Sequence, residues 1–389
     1  MNMHPSEDIK GSMGSDLEGK KIVLGVTGSI AAVECVKLVR ELIREGAEVH
    51  CVMTEWAQKI IHPYSLEFAS GNEVITKITG QVEHVSFCGN VPDKADLFLI
   101  SPATANTISK IACGIDDTAV TTFATTCLGS DIPMVIVPAM HGSMYNHEII
   151  TENIDKLKRI GVKFIGPREE EGTAKIAGRD EIVDEVVRTL DNSLENKRII
   201  VVTGRTQEPI DTMRVITNRA SGRSGIEIAK RAYRKGADVE LWHGNVRGEI
   251  PTWIKAREFD SMEDLWKLTD KASGTIIVPA ALSDFGLNEV SRSKIPSNDS
   301  IQLDLEPIPK FIDRVKENVD KLIAYKAADT REEAIEKAEK MLEEERADIV
   351  VANSLKDVKS GVNRIYILGD GKWYEGRKRD LADRVLEYV

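Results

Sequence analysis

KIVLGVTGSIAAVECVKLVREL, from Lys21 to Leu42, and RIIVVTGRTQEPIDTMRVITNRASGRSGIEIAKRAYRKGADVEL, from Arg198 to Leu241, decide the fold of this chain. In each, a short apolar strand runs into a glycine-rich turn, and the turn opens a helix. A helix start with exposed N–H groups and small residues around it is a place for phosphate. Two such starts predict two phosphate-bearing ligands on two domains, and so a bifunctional enzyme. Neither turn is a G-x-G-x-x-G or a lysine-bearing phosphate loop, so neither generic label applies.

Working outward, the first half alternates strand and helix. Ile22–Val26, Glu48–Met53, Leu97–Ser101 and Met134–Pro138 read as strands, Ile30–Arg44 as an amphipathic helix, and Asp180–Leu190 as a closing helix. Between Gly161 and Arg179 the pattern is loop-like. The second half restarts the cycle with strands at Ile199–Thr203, Asp238–Trp242, Thr275–Pro279, Lys321–Tyr325, Asp348–Ala352 and Arg364–Leu368. Its helices are expected near Ser224–Lys235, Met262–Lys271, Thr330–Arg346 and Arg379–Tyr388. Such alternation predicts an α/β protein of two doubly wound, mostly parallel sheets. The expected division is a flexible tail over 1–18, a first domain over 19–190, a polar linker over 191–197 and a second domain over 198–389.

The 389 residues are too many for one ordinary core and fit two domains. A hydrophobic content of 42% with 30% charged residues is that of a water-soluble globular chain. The net charge of −11 argues against nucleic acid as a partner, because a polyanion needs a basic face. No stretch approaches the roughly 20 apolar residues of a membrane span, and the N-terminus lacks the apolar core of a secretory signal, so a cytoplasmic protein is expected. Cys35, Cys51, Cys88, Cys113 and Cys127 show neither CxxC pairing nor metal spacing and read as small buried hydrophobes.

Four segments of the first half belong together: TGSIAA at Thr27–Ala32, VEHVSF around His84, SPATANT at Ser101–Thr107 and VPAMHGSMY at Val137–Tyr145. Singly, SPATANT also reads as a strand-to-helix turn capped by Thr104, and His84 as a surface histidine. Jointly, the set resembles the flavin-containing cysteine decarboxylases, the phosphopantothenoylcysteine decarboxylase family, over nearly all of the first half. That resemblance implies a flavodoxin-like flavoprotein holding FMN. Gly28, Ser29 and Ile30 would meet the phosphate and Thr54 would lie beside the flavin. Pro102, Ala103, Thr104 and Asn106 would line the ring and ribityl chain. His84 would handle protons near neutrality. The implied reaction oxidises the cysteinyl thiol to a thioaldehyde, loses carbon dioxide and returns the electrons to the ene-thiol. Two positions depart from the family. Its P-x-M-N motif, whose Asn grips the substrate carboxylate, has His141 in the last place, and an imidazole also donates a hydrogen bond. The clamp motif A-C-G reads TAKIAG, with Lys175 in place of the proton-donating cysteine; archaeal relatives share both changes.

The second half is similar to phosphopantothenate–cysteine ligase, a Rossmann-like domain, over almost its full length. The glycine-rich opening matches, with Arg205 where the family usually has Pro. Alone, Asn218 is a residue suited to a turn. The resemblance makes it the asparagine that stabilises the acyl-nucleotide intermediate. Ser221, Gly222 and Gly225 would hold the triphosphate. Ala281 and Asp284, in PAALSDF, would read the base of CTP, and Lys294, in KIPS, would belong to a loop over the phosphates. Tyr325, Lys340 and Asn353 match further nucleotide positions. Mg²⁺ is expected to help the lysines neutralise the phosphates, with no residue assigned as its ligand.

The order decarboxylase, linker, ligase resembles the fused enzymes of coenzyme A biosynthesis. It implies 4′-phosphopantothenate, cysteine and CTP as substrates, and a homo-oligomer built on trimers of the flavin domain, extending to a dodecamer. A second reading, motivated by His141 and Lys175, keeps the ligase active beside a degenerate or regulatory flavin domain.

Overall fold

Strands buried on both faces must be apolar almost throughout, and the first half shows this directly. In the computed structural model the elements run β1 (Lys21–Val26), α1 (Cys35–Arg44), β2 (Glu48–Met53), α2 (Glu83–Cys88), β3 (Leu97–Ala103), α3 (Ala105–Cys113), α4 (Ala119–Gly129), β4 (Met134–Pro138), α5 (Glu148–Arg159), β5 (Lys163–Phe164) and α6 (Arg179–Leu190). The structure describes residues 4–170, 173–296, 300–359 and 363–389, with backbone alone at 168–170, 173–175 and 358–359. The sheet order is β2-β1-β3-β4-β5 with every pair parallel. Ile22, Leu24 and Val26 pack on one face with Leu38 and Leu42 of α1 and Val186 of α6. Val23, Phe98 and Ile100 pack on the other with Ile108 of α3 and Phe123 of α4.

Three expectations change here. The helix expected over 30–44 begins as a 3₁₀ turn, Ile30–Glu34, and becomes α-helical at Cys35. Of the segment 1–18 expected to be a flexible tail, residues 1–3 lie outside the described residues and the rest is fastened to the domain. Leu17 is fully buried in the first core, and the N–H groups of Gly11 and Leu17 donate to the carbonyls of Ile43 and Glu45, at 3.0 and 2.9 Å. Burying one leucine contributes about 2 kcal/mol toward holding the strap. Cys113 is exposed at the end of α3, whereas the other four cysteines are buried.

The second half contributes β6 (Arg198–Thr203), α7 (Arg223–Arg234), β7 (Asp238–His243), β8 (Lys255–Glu258), β9 (Thr275–Val278), β10 (Lys321–Ala328), α8 (Arg331–Glu343), β11 (Ile349–Ser354), β12 (Arg364–Ile367), β13 (Lys372–Glu375) and α9 (Lys378–Leu386). The order is β8-β7-β6-β9-β10-β11-β12-β13. The first six strands are parallel in the doubly wound dinucleotide-fold order, and β12 and β13 add an antiparallel hairpin. The chain divides into two compact units at Leu190/Asp191. The stretch read as a linker belongs to the second: Leu194 enters its core, and its N–H donates to Lys235 O at 2.7 Å.

One buried charge stabilises this second sheet. Glu240 on β7 is 2% exposed and receives Arg198, Arg257, Lys255 and the indole N–H of Trp242. Burial alone raises a carboxyl pKa, but these donors override it and hold Glu240 down from 4.5 to about 2. The folded state therefore binds fewer protons than the unfolded chain between those values. Its contribution is complete above pH of about 5 and lost as pH falls toward 2. Glu240→Gln is expected to destabilise this domain by about 3 kcal/mol at neutral pH, by leaving the cations unpaired. Urea unfolding followed by tryptophan fluorescence should also show a flatter acid limb for the variant; an unchanged limb would remove Glu240 from the acid response.

Candidate active sites

Each domain gathers its loops at the C-terminal edge of its parallel strands, where an open α/β sheet forms its crevice. In the first domain the order reverses between β1 and β3, the switch point at which flavodoxin-like folds seat FMN. Thr27, fully buried, joins the two loops. Its hydroxyl donates to Pro102 O at 2.8 Å and accepts from Thr104 N at 3.0 Å. Thr54 N donates to Val26 O, and Ala139 N to Ala103 O, so β2 and β4 deliver their loops to the same place. Thr54 and Thr104 each cap a helix with the side-chain oxygen.

The phosphate position is shaped by close packing. A Cβ on Gly28 would lie 2.5 Å from Trp56 Cβ, so only glycine lets the turn seat on the Trp56 helix. Ser29 begins the following helix with no side-chain cap, and that first turn holds no acidic residue. Its positive dipole end is thus left for an anion. Ile30 and Trp56 beside it are 77% and 67% exposed. Asn106 is exposed, but Pro102 and Ala103 are buried as they complete β3, so they present backbone rather than side-chain surface. Those residues fit a flavin nucleotide in charge and shape.

The two histidines reach this edge differently. His84 lies in the first turn of α2, and its buried Nδ1 has no hydrogen-bond partner among the described residues. The helix starts from Val82 at φ 51°, a conformation that costs a β-branched residue about 1–3 kcal/mol and is typical of functional sites. No hydrogen bond among the described residues joins His84 to the Thr27 and Thr104 loops. His141 follows β4 and caps the short helix Gly142–Tyr145, its Nδ1 accepting from Ser143 N at 3.3 Å. A backbone N–H only donates, so Nδ1 is the acceptor and the neutral ring carries its proton on Nε2. Lys175 ends a small hairpin with strands Arg168–Glu170 and Thr173–Lys175; its side chain lies outside what is described.

In the second domain the switch point lies at β6, between β7 and β9. Thr203, also fully buried, donates its hydroxyl to Gly222 O at 2.7 Å. A Cβ on Gly225 would lie 2.3 Å from Thr203 Oγ1, so glycine is required for α7 to seat on the strand end. Arg205 Nη1 donates to Ala220 O at 2.6 Å and closes the loop, while its Nε is buried without a partner among the described residues. Asn218 Nδ2 donates to Ala281 O at 3.0 Å, and Ala281 N to Gly204 O at 2.9 Å. Gly222, at φ 74°, caps α7 with no side-chain bond, and Ser221 is half-buried beside it. Again the first turn holds no acidic residue. Asn218, Ser221, Gly222, Gly225 and Ala281 are therefore one assembly, and Asn353 is the last residue but one of β11 at the same edge.

The remaining expected residues are distributed otherwise. Asp284 is ion-paired with Lys310 and lies within electrostatic reach of Lys326. Burial pushes the Lys326 pKa down, and Asp284 opposes that. Tyr325, its neighbour on β10, packs with the core on the α7 side, and burial pushes its phenol pKa up. Consecutive strand residues face opposite sides, so Tyr325 and Asp284 do not converge. Lys340 is 75% exposed on the last turns of α8 and faces Glu344 at 3.9 Å. Since α8 starts at the C-terminal edge, nine residues at 1.5 Å each put Lys340 about 14 Å from it, and the structure does not bring it to the site. Lys294 is exposed, but its neighbour Ile295 donates to Asp211 Oδ2 at 3.0 Å. Ser297, in the same KIPS motif, lies outside the described residues.

Asp211, Lys310 and Lys326 were not singled out from the sequence. The Asp211 side chain is fully buried and also accepts from Met213 N, Arg214 N and Arg214 Nη1; the Ile295 N–H first, then these donors, depress its pKa against the effect of burial. An aspartate heading a short turn is a readable local signal for that arrangement. Lys310 has none, being far from Asp284 in sequence. Among the described residues no group of three or more His, Cys, Asp or Glu could hold a metal, and no helix is long and apolar enough to cross a membrane.

Comparison with known proteins places this geometry. A model of the flavoprotein family matches residues 10–191, and one of the C-terminal domain of DNA/pantothenate metabolism flavoproteins matches 194–389. The coenzyme A biosynthesis bifunctional protein CoaBC of Thermococcus kodakarensis is 47% identical, covering 100% of this chain and 99% of that protein. The Methanocaldococcus jannaschii protein of the same name is 38% identical, covering 100% and 97%. A solved C-terminal domain of CoaBC is 27% identical with a TM-score of 0.42, over 51% of this chain and 96% of that one. With both halves matched in order and relatives aligned end to end, the chain belongs to the bifunctional CoaBC family of coenzyme A biosynthesis, in which a flavoprotein decarboxylase domain precedes a ligase domain.

Proposed function

We propose that the second domain joins cysteine to 4′-phosphopantothenate at the expense of CTP, and that the first decarboxylates the product to 4′-phosphopantetheine with FMN. The observation that carries this reading is the pair of strand-end turns, each opening a helix without side-chain cap or first-turn acid. They lie in a chain whose family membership spans its whole length.

In the ligase the carboxylate of phosphopantothenate attacks the α-phosphorus of CTP and pyrophosphate leaves. The cysteine amine then displaces CMP to form the amide. Gly222, Arg223 and Ser224 present backbone N–H groups to the phosphates and Lys294 neutralises the leaving charge; Mg²⁺, when bound, would share that charge. Asn218, fixed by Ala281 O through one amide hydrogen, keeps its other amide atoms for the intermediate. Asp284 and Asn353 are assigned to the base side. Tyr325 and Lys340 were expected there too, but their places in the fold leave them without a role in this proposal.

In the decarboxylase Gly28, Ser29 and Ile30 hold the FMN phosphate, and Thr54, Thr104 and Asn106 border the flavin with the backbone of Pro102 and Ala103. Bound FMN supplies the two-electron chemistry that makes the cysteinyl carbon an electron sink. His84 offers an unpartnered nitrogen for the substrate's proton. His141 replaces the family's asparagine atom for atom: Nδ1 caps the helix as an amide oxygen would, and Nε2–H donates to the substrate carboxylate as an amide N–H would. We place the enzyme in the cytoplasm as a homo-oligomer of trimers, with a dodecamer as the full assembly.

Purified protein given 4′-phosphopantothenate, cysteine, CTP and Mg²⁺ is expected to yield 4′-phosphopantetheine by mass. Arrest at phosphopantothenoylcysteine would instead favour the reading with an inactive flavin domain, and no amide product would sink the ligase assignment. His84→Asn should abolish carbon dioxide release while ligation proceeds; joint loss would show that the sites are not separate. His141→Asn keeps both cap and donor, so decarboxylation should stay within about threefold of wild type. His141→Leu should lose about 10- to 100-fold, the value of a hydrogen bond to a charged group. Equal rates for the two variants would exclude His141 from carboxylate binding.

A further inference from the structure

Helices α7 and α9 lie side by side and parallel. Lys378 at the start of α9 meets Ser224 at the start of α7, and Asp383 further along meets Arg231 at 3.0 Å. The topology requires this, since β6 and β13 point the same way and each is followed by a helix returning along the sheet. Two helix N-termini, each carrying about half a positive charge, are thus neighbours at the edge where the nucleotide site forms. Acidic residues would normally relieve such an arrangement. The first turn of α7 has none, and Asp380 in the first turn of α9 is engaged by Arg377.

Into this positive corner the chain places another cation. Lys378 is half-buried, and its Nζ donates to Ser224 Oγ at 2.9 Å, in the first turn of the helix assigned to the triphosphate. No carboxylate lies within ion-pair distance of it among the described residues. Burial pushes its pKa below the ordinary lysine value, Arg223 adds to that, and Glu227 opposes it only at longer range. An ammonium so placed is costly in the free protein and is relieved by a multiply charged anion. The loop expected over the phosphates carries Lys294 but proline at the next position but one, so charge is needed from elsewhere.

We propose that Lys378 is a further ligand of the nucleotide's phosphates, reaching the first turn of α7 from α9 and held there by Ser224. The assignment rests on the nucleotide-binding reading of the second domain. It predicts an effect that grows with phosphate charge, which a lysine merely fastening α9 to α7 would not produce.

The test is titration calorimetry of the full-length protein with CTP and with CMP in the presence of Mg²⁺, for wild type, Lys378→Met and Lys378→Arg. Lys378→Met is expected to weaken CTP about tenfold, the equivalent of one charged contact, and CMP less than about twofold. Lys378→Arg should recover CTP binding to within about threefold. Equal weakening of CTP and CMP, or of neither, would overturn the proposal while leaving the nucleotide site standing. A wild type that binds neither nucleotide would remove the nucleotide reading and this assignment with it. Should Lys378→Met not fold, Ser224→Ala removes only the anchor and must by itself weaken CTP several-fold more than CMP.

Discussion

A single buried hydroxyl at the end of the first strand organises each domain. Both strands finish in Val-Thr-Gly, at Val26–Gly28 and Val202–Gly204, and in both the threonine is fully buried. A parallel strand that ends at a crevice leaves carbonyls and N–H groups that the next loop must satisfy. Thr27 does so by bonding Pro102 and Thr104, tying β1 to β3 across the switch point. Thr203 does so by bonding Gly222, tying β6 to the start of α7. The valine before it supplies the core, and the glycine after it lets the chain turn away. Remove the hydroxyl and the two loops that face each ligand lose their common anchor.

Net charge and local charge are separate properties here. The chain carries −11, yet its two strand-end helix starts contain no acidic residue, and the second is surrounded by Arg205, Arg223 and Lys378. Overall acidity keeps polyanions away, while two small corners stay receptive to phosphate. Glu240 shows the opposite solution, one carboxylate compensated by three cations and held ionised.

What the sequence discloses follows from burial. Met134–Pro138 has the limits read from the sequence because a strand covered on both faces is written as an unbroken apolar run; Glu48–Met53 has them too, although it lies at the sheet's edge and only Val49 and Cys51–Met53 of it are buried. The edge strand Lys255–Glu258, KARE, is absent from that reading for the converse reason: an edge is exposed and needs no apolar signature. The 1–18 segment is mostly polar and carries no strand or helix period, so the strap shows only through the burial of Leu17 and its backbone bond to the end of α1. At the sites, turn glycines and capping threonines are locally legible, since each answers a steric or hydrogen-bonding need within a few residues. The Asp284–Lys310 pair and the position of Lys340 are not, because sheet order and helix length decide them.

The change from one unit to the next takes four residues: the first unit ends at Leu190, and Leu194 is already a core residue of the second. Among the described residues each hydrophobic cluster is drawn from one unit alone. What a single reading frame adds is stoichiometry. Every ribosome that finishes a ligase has already made its decarboxylase, and the two catalysts are supplied in equal copies whatever the level of expression.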